Sequence, residues 1–143
     1  MGRRRLEVHA FDDARRFGAA LARATGAPLR AVRVHRFPDG ERRVRVVLPS
    51  LPAPRIPQRA VIVDDIASSG ATLAATARAL RRAGAVHVWV VVVHALFAAG
   101  ALERIERAGV TRAVSCDTVM HPSNAIRVAP LVARALARRV GED

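Results

Sequence analysis

The chain changes its hydrophobic rhythm near its middle. Up to residue 48 the apolar positions are short and interrupted. Leu6 to Ala10 forms a first apolar stretch. Asp12 or Asp13 then offers a cap for a helix to about Thr25, with Phe17, Leu21 and Ala24 on one face and Gly26 as the stop. Ala31–Arg36 and Arg43–Leu48 alternate apolar and basic residues around Pro38-Asp39-Gly40, the pattern of a hairpin of half-buried strands. Residues 49 to 59 hold four prolines and predict a stiff connector. Beyond it, apolar runs alternate with helical patterns, as parallel strands do with crossover helices. Strands are predicted at Ala60–Val63, Val86–Val93, Ala113–Cys116 and Ile126–Val128. Helices are predicted at Ala71–Ala83, Ala98–Ala108 and Ala129–Val140, the first two stopped by Gly84 and Gly109.

This order predicts an α/β fold, a three-layer sandwich with a mainly parallel sheet and the amino-terminal β-hairpin at an edge or projecting toward a neighbour. A length of 143 residues fits one domain, able to bury about two thirds of its unfolded surface. Its expected parts are the hairpin block 1–48, the connector 49–59 and a ligand-binding block 60–143.

Composition narrows the partners. Apolar residues are 51% of the chain, but no unbroken run approaches the ~18 needed to span a bilayer. The amino terminus has no apolar run or cleavage site of a secretion signal. One cysteine, Cys116, excludes an intrachain disulfide and a cysteine zinc site, and a reducing cytoplasm fits best. The formal charge is +12, carried by 24 arginines with no lysine. That charge attracts phosphate groups. The arginines are dispersed, however, and aromatic residues are only 3%, too few for a base-stacking platform. Anionic metabolites suit such a surface better than nucleic acid.

The segment with the densest chemistry is Val61-Ile-Val-Asp-Asp-Ile-Ala-Ser-Ser-Gly-Ala-Thr-Leu73. A buried strand ends in two acids, and a turn rich in hydroxyls opens a helix. Ligands of open α/β sheets bind at such strand ends. Ser68, Ser69, Gly70, Ala71 and Thr72 offer hydroxyls and helix-start amides to an anion, with Gly70 expected to admit a phosphate close to the backbone. Asp64 and Asp65 would repel that phosphate, so they suit sugar hydroxyls or a divalent cation farther along the ligand. A phosphorylated sugar meets both demands. Read alone, the same residues also suit a helix cap with a solvated turn. His9, His35, His87, His94 and His121 show no paired metal-ligand spacing and read as surface or packing residues, with His94 closest to the predicted pocket. Cys116 lacks a recognisable base and reads as packing.

Val61 to Leu73 resembles the signature shared by type I phosphoribosyltransferases and ribose-phosphate pyrophosphokinases (PRPP synthetases). Arg36-Phe37-Pro38-Asp39-Gly40-Glu41 with Val44-Arg45-Val46 is similar to the amino-terminal hairpin of the PRPP synthetases, which phosphoribosyltransferases in general lack. The stretches Arg82 to Val88, Val93-His94-Ala95-Leu96-Phe97, Gly100 to Ile105, Cys116 to Val119 and Val128 to Leu131 resemble the closing half of the same family in order. The resemblance implies that Ser68, Ser69, Gly70, Ala71 and Thr72 hold the phosphate of ribose 5-phosphate or PRPP and that Asp64 and Asp65 hold the ribose hydroxyls, with Mg2+ as cofactor and the two acids as candidate ligands. It implies ATP recognition by Phe37, Asp39 and Glu41 across a subunit contact, hence a homo-oligomer. The family reaction converts ribose 5-phosphate and ATP to PRPP and AMP.

Two departures matter. The central family segments, with the histidine-bearing magnesium loop and the flexible loop carrying lysine and arginine, have no counterpart here. Within the signature, Ser69 replaces a threonine and Ala71 a glycine, changes that keep the hydroxyl and the amide. Three readings therefore stay open: a PRPP synthetase, a non-catalytic sugar-phosphate-binding or regulatory relative, and a small phosphoribosyltransferase.

Overall fold

The computed structural model describes residues 6–36, 42–46 and 58–140. Its strands are β1 (Leu6–Ala10), β2 (Leu29–Arg36), β3 (Arg42–Val46), β4 (Arg59–Ala67), β5 (His87–Ala95), β6 (Arg112–Cys116) and β7 (Asn124–Ile126). Its helices are α1 (Arg15–Thr25), α2 (Ala71–Arg82), α3 (Ala101–Arg107) and α4 (Ala129–Val140). The strands form one sheet in the order β3-β2-β1-β4-β5-β6-β7, with six parallel strands and β3 antiparallel at the edge. The α/β fold with a mainly parallel sheet and an edge hairpin is as expected.

The central strands are hydrophobic on both faces because helices lie on both. On one face Ile62, Val88, Val90 and Val92 meet Leu73, Ala77 and Leu80 of α2 and Ile105 of α3. On the other, Val8, Ala10, Val61 and Val63 meet Ala22 and Leu21 of α1. Fully burying each Val or Leu side chain contributes about 1.5–3 kcal/mol, so the paired cores hold the sheet. No helix among the described residues is long and apolar enough to cross a membrane.

Several elements differ from their expected form. The buried face of α1 is Ala14, Gly18 and Ala22, while Phe17 and Ala24 are exposed. Gly18 explains the difference: a Cβ there would stand 2.5 Å from the Cβ of Ala10, so only a stripe of small residues lets α1 lie this close to β1. Neither Asp12 nor Asp13 caps α1. Its N-cap is Ala14, and the Asp13 carboxylate instead accepts the Ala14 amide at 3.0 Å.

β4 runs beyond Val63 to Ala67 because β5 continues beside it, pairing Ile66 with His94 and Ala67 with Ala95. Asp64 and Asp65 therefore belong to the strand rather than to a loop. α3 starts only at Ala101, after Gly100 turns the chain at φ 75°, and β7 lies two residues earlier than expected. The proposed nucleotide residues Phe37, Asp39 and Glu41, the Pro38-Asp39-Gly40 turn and most of the proline-rich connector fall outside the described residues.

Candidate functional site

The sheet order decides where a ligand can enter. From β1 the chain crosses through α1 to β2 on one side, and from β4 it crosses through α2 to β5 on the other. With α1 and α2 on opposite faces, the carboxyl ends of β1 and β4 part to leave a crevice, the topological switch point at which open α/β sheets bind ligands. Asp64 and Asp65 lie on the β4 side of it. From the β1 side comes Asp13, and the carboxylate oxygens of Asp13, Asp64 and Asp65 lie within 4.8 Å of one another.

This clustering has an electrostatic consequence. Asp64 is 9% exposed. Burial, followed by the charges of Asp13 and Asp65, pushes its pKa up from 3.8 to about 7. Near neutral pH the carboxyl is therefore poised between acid and anion. It would gain from a cation or from hydroxyl donors that favour the charged form. Asp65 is partly buried and accepts the Ile66 amide at 2.7 Å, which fixes its orientation.

Beyond the acids, Ser68 and Ser69 are exposed, Gly70 is buried, and α2 begins at Ala71. The turn is braced by α3 and the segment before it: the Ser68 carbonyl accepts the Ala98 amide at 3.1 Å, and the Ser69 carbonyl accepts from Arg104 Nη1 at 2.7 Å. All peptide bonds described are trans. In a trans peptide the N–H points opposite to the carbonyl, so the amides of Ser69 and Gly70 are directed away from α3. The Ala71 amide donates to Ser69 Oγ at 3.4 Å, and the start of α2 presents backbone N–H groups of the kind that suit an anion.

Gly70 has a packing role as well. Its φ is +69°, and a Cβ would lie 3.1 Å from both the Ala101 carbonyl and the Ile105 side chain. Glycine is therefore required here by the close approach of α3, whatever ligand the turn admits. Arg104 is a residue the sequence reading missed as part of this site. Its only local signal is that it stands one helical turn into α3, where a long cation can reach back to a preceding loop. Asp13 was equally hidden, although Asp12-Asp13 follows β1 as Asp64-Asp65 stands at the end of β4. A pocket of about 230 Å³ lined by Asp12, Arg15 and Arg30 among others lies toward β2 and includes none of the three clustered acids.

The remaining candidates resolve into structural roles. His94 Nδ1 lies 2.9 Å from the Thr118 hydroxyl, which donates to the Val93 carbonyl at 2.6 Å. Thr118 must then accept, which places the His94 proton on Nδ1 and fixes the ring at the end of β5. His9 is fully buried with Nε2 3.4 Å from the Glu7 carboxylate, and Glu7 also pairs with Arg30 at 3.3 Å. His9 first, and then Arg30, hold the Glu7 carboxyl below its usual range against the opposing effect of burial. His121 Nδ1 lies 2.7 Å from the Ser123 hydroxyl. Cys116 is buried, and burial with the nearby Asp117 raises its thiol pKa, as suits a packing residue.

Comparison with known proteins agrees with this architecture. A family model described as the phosphoribosyl synthetase-associated domain matches residues 55–138, more than half of the chain. The chain belongs to the PRPP synthetase family. It is similar to ribose-phosphate pyrophosphokinase 1 of Archaeoglobus fulgidus, with 44% identity over 77 residues, 54% of this chain and 27% of the relative. The ribose-phosphate pyrophosphokinase of Deinococcus radiodurans is 32% identical over 127 residues, 82% of this chain and 38% of the relative. The chain thus spans well under half the length of these curated relatives.

Among solved structures, phosphoribosylpyrophosphate synthetase from Mycobacterium smegmatis superposes with a TM-score of 0.70 at 20% identity, over 96% of this chain and 46% of that one. Orotate phosphoribosyltransferase from Aeropyrum pernix superposes with a TM-score of 0.52 at 28% identity, over 79% and 60% of the two chains. The fold is phosphoribosyltransferase-like.

Proposed function

We propose that this PRPP synthetase family member binds ribose 5-phosphate or PRPP at the crevice between β1 and β4. The observation that carries the proposal is the division of charge along the site. Three converging carboxylates stand at the strand ends, and an exposed hydroxyl turn with outward amides opens α2. Asp64 and Asp65 accept hydrogen bonds from the ribose hydroxyls. The hydroxyls of Ser68, Ser69 and Thr72, with the amides at Gly70 and Ala71, receive the 5-phosphate, whose charge the α2 dipole favours.

The donor set also fits Mg2+, a hard cation that prefers carboxylate oxygens and retained water. Asp64 and Asp65, joined by Asp13, would hold it, and when bound it would neutralise phosphoryl charge. The family reaction, diphosphoryl transfer from ATP to ribose 5-phosphate, is the chemistry that this binding would serve. By the family resemblance, Phe37, Asp39 and Glu41 would receive the nucleotide across a contact between copies.

Calorimetric titration of ribose 5-phosphate with Mg2+ present tests the binding. Asp64→Asn with Asp65→Asn is expected to lower affinity about 10- to 100-fold, the loss of a hydrogen bond to a charged acceptor being worth about 1.5–3 kcal/mol. Equal affinity in wild type and variant would overturn the assignment. AMP release from ATP in the same mixture, with the double variant as control against a contaminating host enzyme, reports whether this chain also completes the transfer.

A further inference from the structure

Between the acid pair and the hydroxyl turn stands a residue with no part in holding a sugar phosphate. Ile66 is 49% exposed, whereas Ala60, Val61, Ile62, Val63 and Ala67, the other apolar residues of β4, are all buried. A single exposed apolar side chain is ordinary on a protein surface. This one lies inside a polar site, directly after Asp65 and two residues before Ser68. Ile66 is the register partner of His94 in β5. Partners on neighbouring parallel strands carry their side chains on the same face, with the strands about 4.8 Å apart, so the imidazole stands beside the isoleucine. Leu96, 52% exposed, follows where the chain leaves β5. It belongs to the segment whose Ala98 amide donates to the Ser68 carbonyl.

His94 presents one chemical character here. Thr118 donates its single proton to the Val93 carbonyl and accepts from Nδ1, so the neutral ring keeps a lone pair on Nε2. Among the described residues Nε2 has no hydrogen-bond partner, and the side chain is only half-buried. An apolar surface with one fixed acceptor is the usual make-up of a small-molecule subsite. Phosphate does not suit it, because the Nε2 lone pair repels an anion. The sugar hydroxyls go to Asp64 and Asp65 in the reading above. A flat ring with N–H groups on its edge suits it: the face covers Ile66 and the edge donates to Nε2. Spacing selects the kind of nucleotide. Asp65 and Ile66 are about 3.3 Å apart along the strand, so the ring lies next to the ribose, as a base bonded to C1 does. A base separated from the ribose by a chain of phosphates would lie farther off.

We propose that Ile66 and His94 form a nucleobase subsite, so that the crevice takes a nucleoside 5′-monophosphate more tightly than ribose 5-phosphate alone. The inference rests on the sugar-phosphate reading of the crevice and adds what lies beyond the sugar.

The test uses the full chain with Mg2+, titrated by calorimetry with ribose 5-phosphate, AMP and inosine 5′-monophosphate. Both nucleotides are expected to bind about tenfold more tightly than the sugar phosphate, as one hydrogen bond and partial cover of an aliphatic side chain allow, and ribose 5-phosphate should displace them. Ile66→Thr keeps the β-branched shape that suits a strand, and His94→Phe keeps a ring without the lone pair. Each is expected to lower nucleotide affinity several-fold and leave that for ribose 5-phosphate unchanged, which also reports that the variant is folded. The wild-type comparison decides the matter even if a variant fails to fold. Ribose 5-phosphate that does not bind removes the sugar-phosphate reading, and the subsite with it. Ribose 5-phosphate that binds while the nucleotides bind no better sinks the subsite alone. So does a nucleotide that the sugar phosphate cannot displace, since its site lies elsewhere, and so do folded variants with wild-type nucleotide affinity.

Discussion

Asp64 sits where burial and two neighbouring carboxylates all oppose its charge, and its folded pKa of about 7 lies well above the ordinary value of 3.8. The folded state therefore holds this proton more tightly than the unfolded state between roughly those two values. The contribution to stability is fullest below pH 4, declines as the pH rises to about 7, and is flat beyond. Asp64→Asn, a neutral mimic of the protonated form, should abolish this part of the decline. In the ligand-free protein it is expected to be more stable than wild type at pH 8, by on the order of a few kcal/mol at about 1.4 kcal/mol per pKa unit, and similar at pH 4. Thermal melts at the two pH values check this. A wild-type melting temperature that rises from pH 4 to 7 by an amount Asp64→Asn removes would contradict the sign. Arg104 acts on the same site from farther away, through its charge-assisted bond to the Ser69 carbonyl. Arg104→Ala should weaken phosphate-dependent binding several-fold while Arg104→Lys recovers part of it, whereas affinity for ribose without the phosphate should not move. Titrations with the two sugars separate positioning of the turn from a general loss of structure.

At the scale of elements, two glycines hold the layers together for different reasons, and substitution should tell them apart. Gly70 needs its positive φ and also the space beside Ala101 and Ile105. Gly70→Ala should cost about 1–3 kcal/mol from backbone strain and should disturb the α2–α3 contact that braces the turn. Gly18 lies in an α-helix, where any residue is tolerated by the backbone, but its neighbour Ala10 leaves no room for a Cβ. Gly18→Val should therefore destabilise by overpacking, about 1–3 kcal/mol, with little change at the α2 turn. Denaturant unfolding combined with ligand titration checks the pair: both variants lose stability, and Gly70→Ala is expected to lose the larger share of affinity. These positions also show what was legible in advance. The strand, acid pair, hydroxyl turn and helix of residues 61–73 were readable because each is a local pattern. The contribution of Asp13 was not, because it depends on β1 lying beside β4, a neighbour relation that no local periodicity carries. The length of β4 was hidden for the same reason, since residues 64–67 are held in the strand by β5. The inward face of α1 was misjudged because packing against β1 selected the smallest side chains, whereas hydrophobicity alone points to Phe17.

For the whole molecule, the formal charge of +12 acts in opposite directions on its two kinds of contact. It draws a sugar phosphate toward the site, and it drives two copies of the chain apart. Screening length falls from about 10 Å at 0.1 M salt to about 3 Å at 1 M, so both effects fade together as salt is added. Binding of ribose 5-phosphate should therefore weaken with increasing salt, because its attraction is lost while nothing compensates. Any association of copies is opposed by the like charge of the two chains, and that repulsion is relieved over the same range of salt. Chloride is the suitable salt, since sulfate and phosphate would compete at the α2 turn. A salt series read by calorimetry should thus give an affinity for ribose 5-phosphate that falls steadily with added chloride. An affinity that stays constant across the series would mean that the arginine charge plays no part in drawing the phosphate to the α2 turn, and that hydrogen bonds at the turn alone hold it.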